Sequence, residues 1–128
     1  MKAHNFKELN VWQKGIEIVV NIYKLTCNFP KEEKFGLTSQ IQRCAVSIPS
    51  NIAEGCGRTS EKELQHFLSI SLGSSSELET QLIVSSKLGY INEDELKNVI
   101  IELTIIQKML YKFYDSIKIA ATVREQNT

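Results

Sequence analysis

A chain of 128 residues is long enough to bury about two thirds of its unfolded surface in one core, so neither a disulfide framework nor a structural metal is needed for folding. Fifteen basic and fifteen acidic residues cancel, which leaves no net field to draw the molecule onto DNA, RNA or an anionic membrane, and any such binding has to come from a local patch. Three cysteines, Cys27, Cys44 and Cys56, are odd in number and lack CxxC spacing, MKAHNFKELNVWQ lacks the apolar run of a signal peptide, and no stretch approaches the ~20 apolar residues of a membrane span; a reduced, soluble, cytoplasmic protein is expected.

The first predicted helix runs from about Leu9 to Cys27 and stops at Phe29-Pro30. Trp12, Ile16, Val19 and Tyr23 read as its core stripe, and Val11, Ile18, Ile22 and Leu25 form a second one. The combined apolar arc spans roughly 220°, against the ~100° or somewhat more that a helix with one buried face needs. The second stripe is therefore expected to be an oligomer seam. PKEEKFG follows as a charged connector.

Residues 36–58, GLTSQIQRCAVSIPSNIAEGCGR, form the second helix. Leu37, Ile41, Cys44, Ala45, Ile48 and Ile52 make its apolar stripe, and Gln40, Arg43, Ser47, Asn51 and Glu54 make a polar stripe immediately beside it. Side chains on such a flank are half-buried against a neighbour, so their polar groups need partners there. Pro49 removes its own N–H and crowds the carbonyl of Ala45, at about 3 kcal/mol for a mid-helix site, and predicts a kink. Gly55 and Gly57 are expected to end the helix.

Ser60 followed by Glu63 is a capping box that opens the third helix, which extends to about Leu88 and closes with Gly89 as a left-handed cap. On its core face Ser71, Ser75 and Ser85 alternate with Leu64, Phe67, Leu68, Leu78 and Leu82, with Gly73, Ser74 and Ser76 nearby. Small side chains let two helices approach closely and offer hydroxyls to the polar stripe of the second helix; Arg43 and Glu77 are candidates for a charge-assisted pair across that contact.

Asn92 followed by Glu95 starts the fourth helix, which continues to about Ala120. Leu96, Ile100, Leu103, Leu110 and Ile117 face one way, and Ile101, Ile105 and Ile119 face nearly opposite, again a seam for another copy of the chain. Short connectors make successive helices antiparallel neighbours. The expectation is all-α: one domain over residues 1–128, an up-down-up-down four-helix bundle with a kinked second helix, residues 1–8 and 121–128 being flexible ends.

Chemistry is sparse. His4 and His66 are the only histidines, and the ExxH spacing of Glu63 and His66 stands alone where a di-metal bundle site needs two such motifs and two further glutamates. Gly55-Cys56-Gly57-Arg58 follows a helix and lacks the lysine and hydroxyl of a phosphate loop. Cys56 has no general base near it in sequence and reads as an inert thiol, and Trp12 reads as core rather than as a base-stacking platform. No enzyme activity, cofactor or metal is expected.

LNVWQKGIEIVVNIYKLTCNFPKEEKFGLTSQIQRCAVSIPSNIAEGCGR, then FLSISLGSSSELETQL and KLGYI, resemble the 23S rRNA-intervening-sequence protein family over Leu9 to Ile91. The family pattern falls on Trp12, Pro30, Glu33, Leu37, Gln40, Arg43, Ser47, Ile48, Asn51, Glu54, Gly55, Arg58, Gly73, Ser74 and Glu77, with Cys44 where alanine is usual. The resemblance implies antiparallel four-helix bundles assembled into rings, typically pentameric, and kinship with accessory subunits of the reverse transcriptases of diversity-generating retroelements. Those relatives use basic surfaces, from which this neutral chain departs. The expected function is a non-enzymatic homo-oligomeric scaffold that binds RNA, DNA or a nucleic-acid-processing protein through Arg43, Arg58, Lys14 and Lys24. The alternative is a pure protein-interaction or structural assembly module, in which the polar stripe sets subunit register.

Overall fold

The computed structural model describes residues 5–126, with side chains to Ile117. Its four helices are α1 (Asn10–Thr26), α2 (Leu37–Cys56), α3 (Glu61–Lys87) and α4 (Glu93–Gln126), with short 3-10 turns at Phe6–Glu8 and Lys31–Glu33 and no strand among the described residues. The helix boundaries follow local chemistry. Ser60 Oγ accepts the Glu63 N–H at 3.1 Å, and Asn92 and Glu95 exchange both bonds of a full capping box at 2.8 and 2.9 Å. Gly89, at φ +81°, closes α3 as expected: the Tyr90 N–H reaches Ser85 O and the Gly89 N–H reaches Ser86 O, a pattern that needs a residue at ease with positive φ.

Each helix packs on its neighbours in sequence, and α1 also packs on α4. Chain numbers rise on one helix as they fall on the next. Gln42 Nε2 meets Thr26 Oγ1 at 3.1 Å while Pro49 lies opposite Gly15. Between α2 and α3, Gly55 lies against Leu64, Ser71 Oγ donates to Ile48 O at 2.9 Å, and Cys44 Sγ donates to Ser74 O at 3.0 Å. Gln65 to Tyr114 and Gln107 to Glu79 tie α3 to α4, and Asn21 donates to both carboxylate oxygens of Glu102 between α1 and α4.

The core corrects the reading of the first helix. Val11, Ile18 and Ile22 are buried inside the bundle, and Leu25 packs against that core, so these four are not an oligomer seam. The water-facing stripe of α1 is Ile16 at 40%, Val20 at 48% and Tyr23 at 46% exposure, with Trp12 and Val19 half-buried beside it. Gly15 explains the choice. A Cβ there would come within 3.2 Å of Pro49 Cβ, so the line Val11–Gly15–Ile18–Ile22 is the one that lets α1 close on α2. On α4 the expected division holds: Leu103 and Leu110 are buried and Ile101 and Ile105 exposed, while Ile119 lies outside the residues whose side chains are described.

Three further differences are local. α2 carries Pro49 inside it, as read from the sequence, and the difference is at its end, where Gly55 is a buried packing residue and not a helix stop: a Cβ would sit 2.9 Å from Phe67 Cβ. Asn5–Glu8, expected to be a loose end, forms a capped turn that sets the Phe6 ring 5.3 Å from Trp12, edge to face. At the other end the α4 backbone stays helical to Gln126.

Candidate functional site

The polar stripe of α2 divides in two. Gln40, Arg43, Cys44 and Ser47 line one wall of an open cleft of about 290 Å³, and Ser74, Glu77 and Gln81 of α3 line the other. Between the walls Ser47 Oγ and Ser74 Oγ share a 2.8 Å hydrogen bond, and Asn51 Nδ2 donates to Ser47 O and Oγ at 2.8 and 2.9 Å. Glu54 points to the far end, where it pairs with Arg58. The Arg58 guanidinium also lies over the Phe67 ring, 4.7 Å from its centroid.

Charges in the cleft are left open. The Cys44–Ser74 register puts Arg43 across from Glu77, yet no ion pair joins them among the described residues. Exposed Glu77 faces the Cys44 thiol and takes a long 3.5 Å contact from Gln81 Nε2, and Gln81 Oε1, on a side chain 9% exposed, has no hydrogen-bond partner. A buried unpaired amide oxygen costs about 1–3 kcal/mol, so its presence calls for an account. Sequence reasoning named Arg43, Ser74 and Glu77 and missed Gln81, whose signal was a glutamine in the slot beside Leu78 and Leu82.

The thiols here are inert. Burial, then the charge of Glu77, pushes Cys44 from its ordinary 9.0 up to about 12, and burial pushes Cys56 up as well. Both stay protonated at neutral pH, so neither is a nucleophile. His66 is exposed against Phe67, His4 lies outside the described residues, and among the described residues no three His, Cys, Asp or Glu side chains cluster as a metal site. Nor is any described helix long and apolar enough to cross a membrane.

The four candidate cations do not converge. Arg43 lies within α2, roughly 20 Å along the helix axis from its end at Cys56, beyond which Arg58 is engaged by Glu54 and Phe67. Lys14 acts on Glu102 at the α1/α4 seam, the side of the bundle away from the α2/α3 cleft, and Lys24 is exposed on α1. The expectation of one basic patch is corrected: the fold distributes these charges over several faces.

A second surface feature lies between α1 and α2. Phe6, Trp12, Ile16 and Val19 face Val46, Pro49 and Ala53 across a shallow groove of about 240 Å³ that is mostly apolar. Val20 and Tyr23 extend the same side of α1.

Comparison with known proteins places the chain. A family model described as 23S rRNA-intervening sequence protein matches residues 7–112. A crystal structure from Bacteroides thetaiotaomicron, of a protein with unknown function from the S23 ribosomal protein family, is similar with a TM-score of 0.73 and 28% sequence identity, over 81% of this chain and 97% of its own. No curated protein matches the chain.

Proposed function

The chain belongs to the 23S rRNA-intervening sequence protein family, and from that premise we propose that it is a non-enzymatic homo-oligomeric scaffold which holds nucleic acid or a nucleic-acid-processing protein. The ring of five that the family resemblance implies is the assembly we favour. The observation that carries the proposal is the apolar α1/α2 face: Ile16, Val20 and Tyr23 in helical register, 40–48% exposed, next to the Phe6–Trp12 groove. An apolar face of this kind on a bundle whose core is already complete is best accounted for by another copy of the chain.

Light scattering tests it. We expect a defined oligomer at micromolar concentration, and folded monomers from the double substitution Ile16→Glu, Val20→Glu; a wild-type monomer at that concentration rejects the proposal. The scatter of Arg43, Arg58, Lys14 and Lys24 favours a second reading, an assembly module without nucleic-acid contact. Filter binding at two salt concentrations separates the two, because phosphate contacts weaken steeply with salt. No retention at low salt supports the module.

A further inference from the structure

The connector between α1 and α2 holds one large apolar side chain almost wholly in water. Phe35 is 91% exposed, more than any other large hydrophobic among the described residues, yet the turn that carries it is firmly held. Glu33 is the reason. Its carboxylate accepts the Leu37 N–H at 3.3 Å, satisfying a donor at the start of α2, and the Tyr90 OH at 2.9 Å, which ties the connector to the α3–α4 turn. Its carbonyl accepts the Gly36 N–H at 3.0 Å. Gly36 leaves room for this arrangement, since a Cβ there would come within 2.9 Å of Glu33 Oε1, and Tyr90 is itself seated on the Phe29 ring, centroids 5.3 Å apart. A phenylalanine presented on an ordered turn forgoes the gain of burial, and it loses little further freedom when a partner buries it.

The molecule also carries a receptor for such a ring. The α1/α2 groove, about 240 Å³, is lined by the aromatic rings of Phe6 and Trp12 on one side and by Val46, Pro49 and Ala53 on the other. A chain cannot fill its own groove with Phe35, because Val46 and Ala53 lie roughly 14 and 24 Å along α2 from Leu37. Ile83, Ile101 and Ile105 are 41–51% exposed and lie along helix surfaces, as ridges suited to a flat face; Phe35 stands free as a knob suited to a concavity. Two different patches that fit each other make a heterologous contact, which propagates head to tail and can close into a ring. A ring of five requires contacts of this kind, because self-complementary patches join subunits only in pairs.

We propose that Phe35 of each copy inserts between Trp12 and Pro49 of the next, the α1–α2 connector being the plug and the α1/α2 groove the socket of a head-to-tail assembly. With ~150–250 Å² for a buried phenylalanine and as much for the lining it covers, plug and socket account for roughly 300–500 Å². Ile16, Val20 and Tyr23, exposed beside the socket, extend the contact towards the ~1,200 Å² of a specific interface. The proposal rests on the homo-oligomer reading above and names the residues that join one copy to the next.

Disulfide trapping tests it in the full chain, with Cys27→Ser removing the exposed native thiol. Lys34→Cys puts a thiol beside the plug and Ser50→Cys puts one at the socket, both at exposed positions that leave Phe35 and Trp12 in place. On mild oxidation we expect the doubly substituted chain to form a ladder of covalent oligomers, each single variant to form none, and a mixture of the two single variants to form dimers and nothing larger. Phe35→Ala should raise the concentration at half assembly at least tenfold, with thermal unfolding of the monomer unchanged, and Phe35→Leu, still apolar, should raise it less. Assembly that persists unchanged in Phe35→Ala, or an oligomeric double variant that yields no cross-link, overturns the plug and leaves the scaffold standing. Covalent dimers from Lys34→Cys alone also overturn it, because connector would then meet connector. A wild-type monomer in light scattering overturns plug and scaffold together.

Discussion

Towards α1, α2 presents Pro49 to Gly15, and Val46 and Ala53 to the groove holding Trp12 and Ile16; towards α3 it presents Cys44, Ser47 and the Ile48 carbonyl to Ser74 and Ser71. Both seams are close, but they are closed by different means. The α1 side relies on a missing side chain and hydrocarbon contact, so what it leaves exposed is apolar. The α3 side uses hydroxyls and a thiol that bond to backbone and to each other, so what it leaves exposed is polar and charged. One helix thereby gives the molecule two surfaces of different chemistry, an apolar face and a polar cleft.

The contrast breaks most sharply on α1. Ile18→Ala or Ile22→Ala is expected to cost about 2–5 kcal/mol in urea unfolding, whereas Ile16→Ala or Val20→Ala, measured dilute enough to remove assembly, should stay within about 0.5 kcal/mol. Equal losses at Ile16 and Ile18 would mean that the two faces of α1 are misassigned. Two glycines sharpen the α3 side with opposite signs. Gly55→Ala forces a Cβ against Phe67 and Leu64 and should destabilise by about 1–3 kcal/mol, while Gly73→Ala, with nothing within 4 Å, should stabilise by about 0.5–1 kcal/mol; paired thermal melts read both.

Smaller effects belong to the polar contacts themselves. Ser47→Ala removes the partner of Ser74 Oγ and one partner of Asn51, a loss of about 1 kcal/mol by chemical denaturation. The raised Cys44 pKa gives a pH signature. The folded protein holds that proton more tightly than the unfolded chain, so stability is full below pH 9 and declines as pH rises from about 9 to about 12. Cys44→Ala should flatten the decline, measured as the urea midpoint against pH. Exposed Cys27 should be alkylated well before buried Cys44 and Cys56 at pH 8.

Much of this was written locally. The caps at Ser60 and Asn92 and the left-handed stop at Gly89 were readable because a cap involves residues within one turn of each other. The cleft walls were half-readable: Gln40, Arg43 and Ser47 share a stripe beside the core line, and Ser74 and Glu77 sit on the complementary helix. Gln81 was not, since an amide in a leucine-rich line acquires meaning only when its oxygen is found buried and unpaired. The surroundings of Arg58 were hidden for a similar reason, its partners Glu54 and Phe67 lying on two helices.

What the sequence by itself determined is the number of helices, the capped starts of α3 and α4 and the stop at Gly89, and the existence of more apolar helix surface than one core absorbs, all consequences of spacing along the chain. Only the tertiary structure decided which half of the α1 arc turns inward, that Gly55 packs instead of terminating, and that four cations spread over separate faces. Periodicity specifies a helix surface up to rotation about its own axis. The rotation is chosen by close contacts between distant residues, here Gly15 on Pro49 and Gly55 on Leu64 and Phe67, which no pattern within one helix contains.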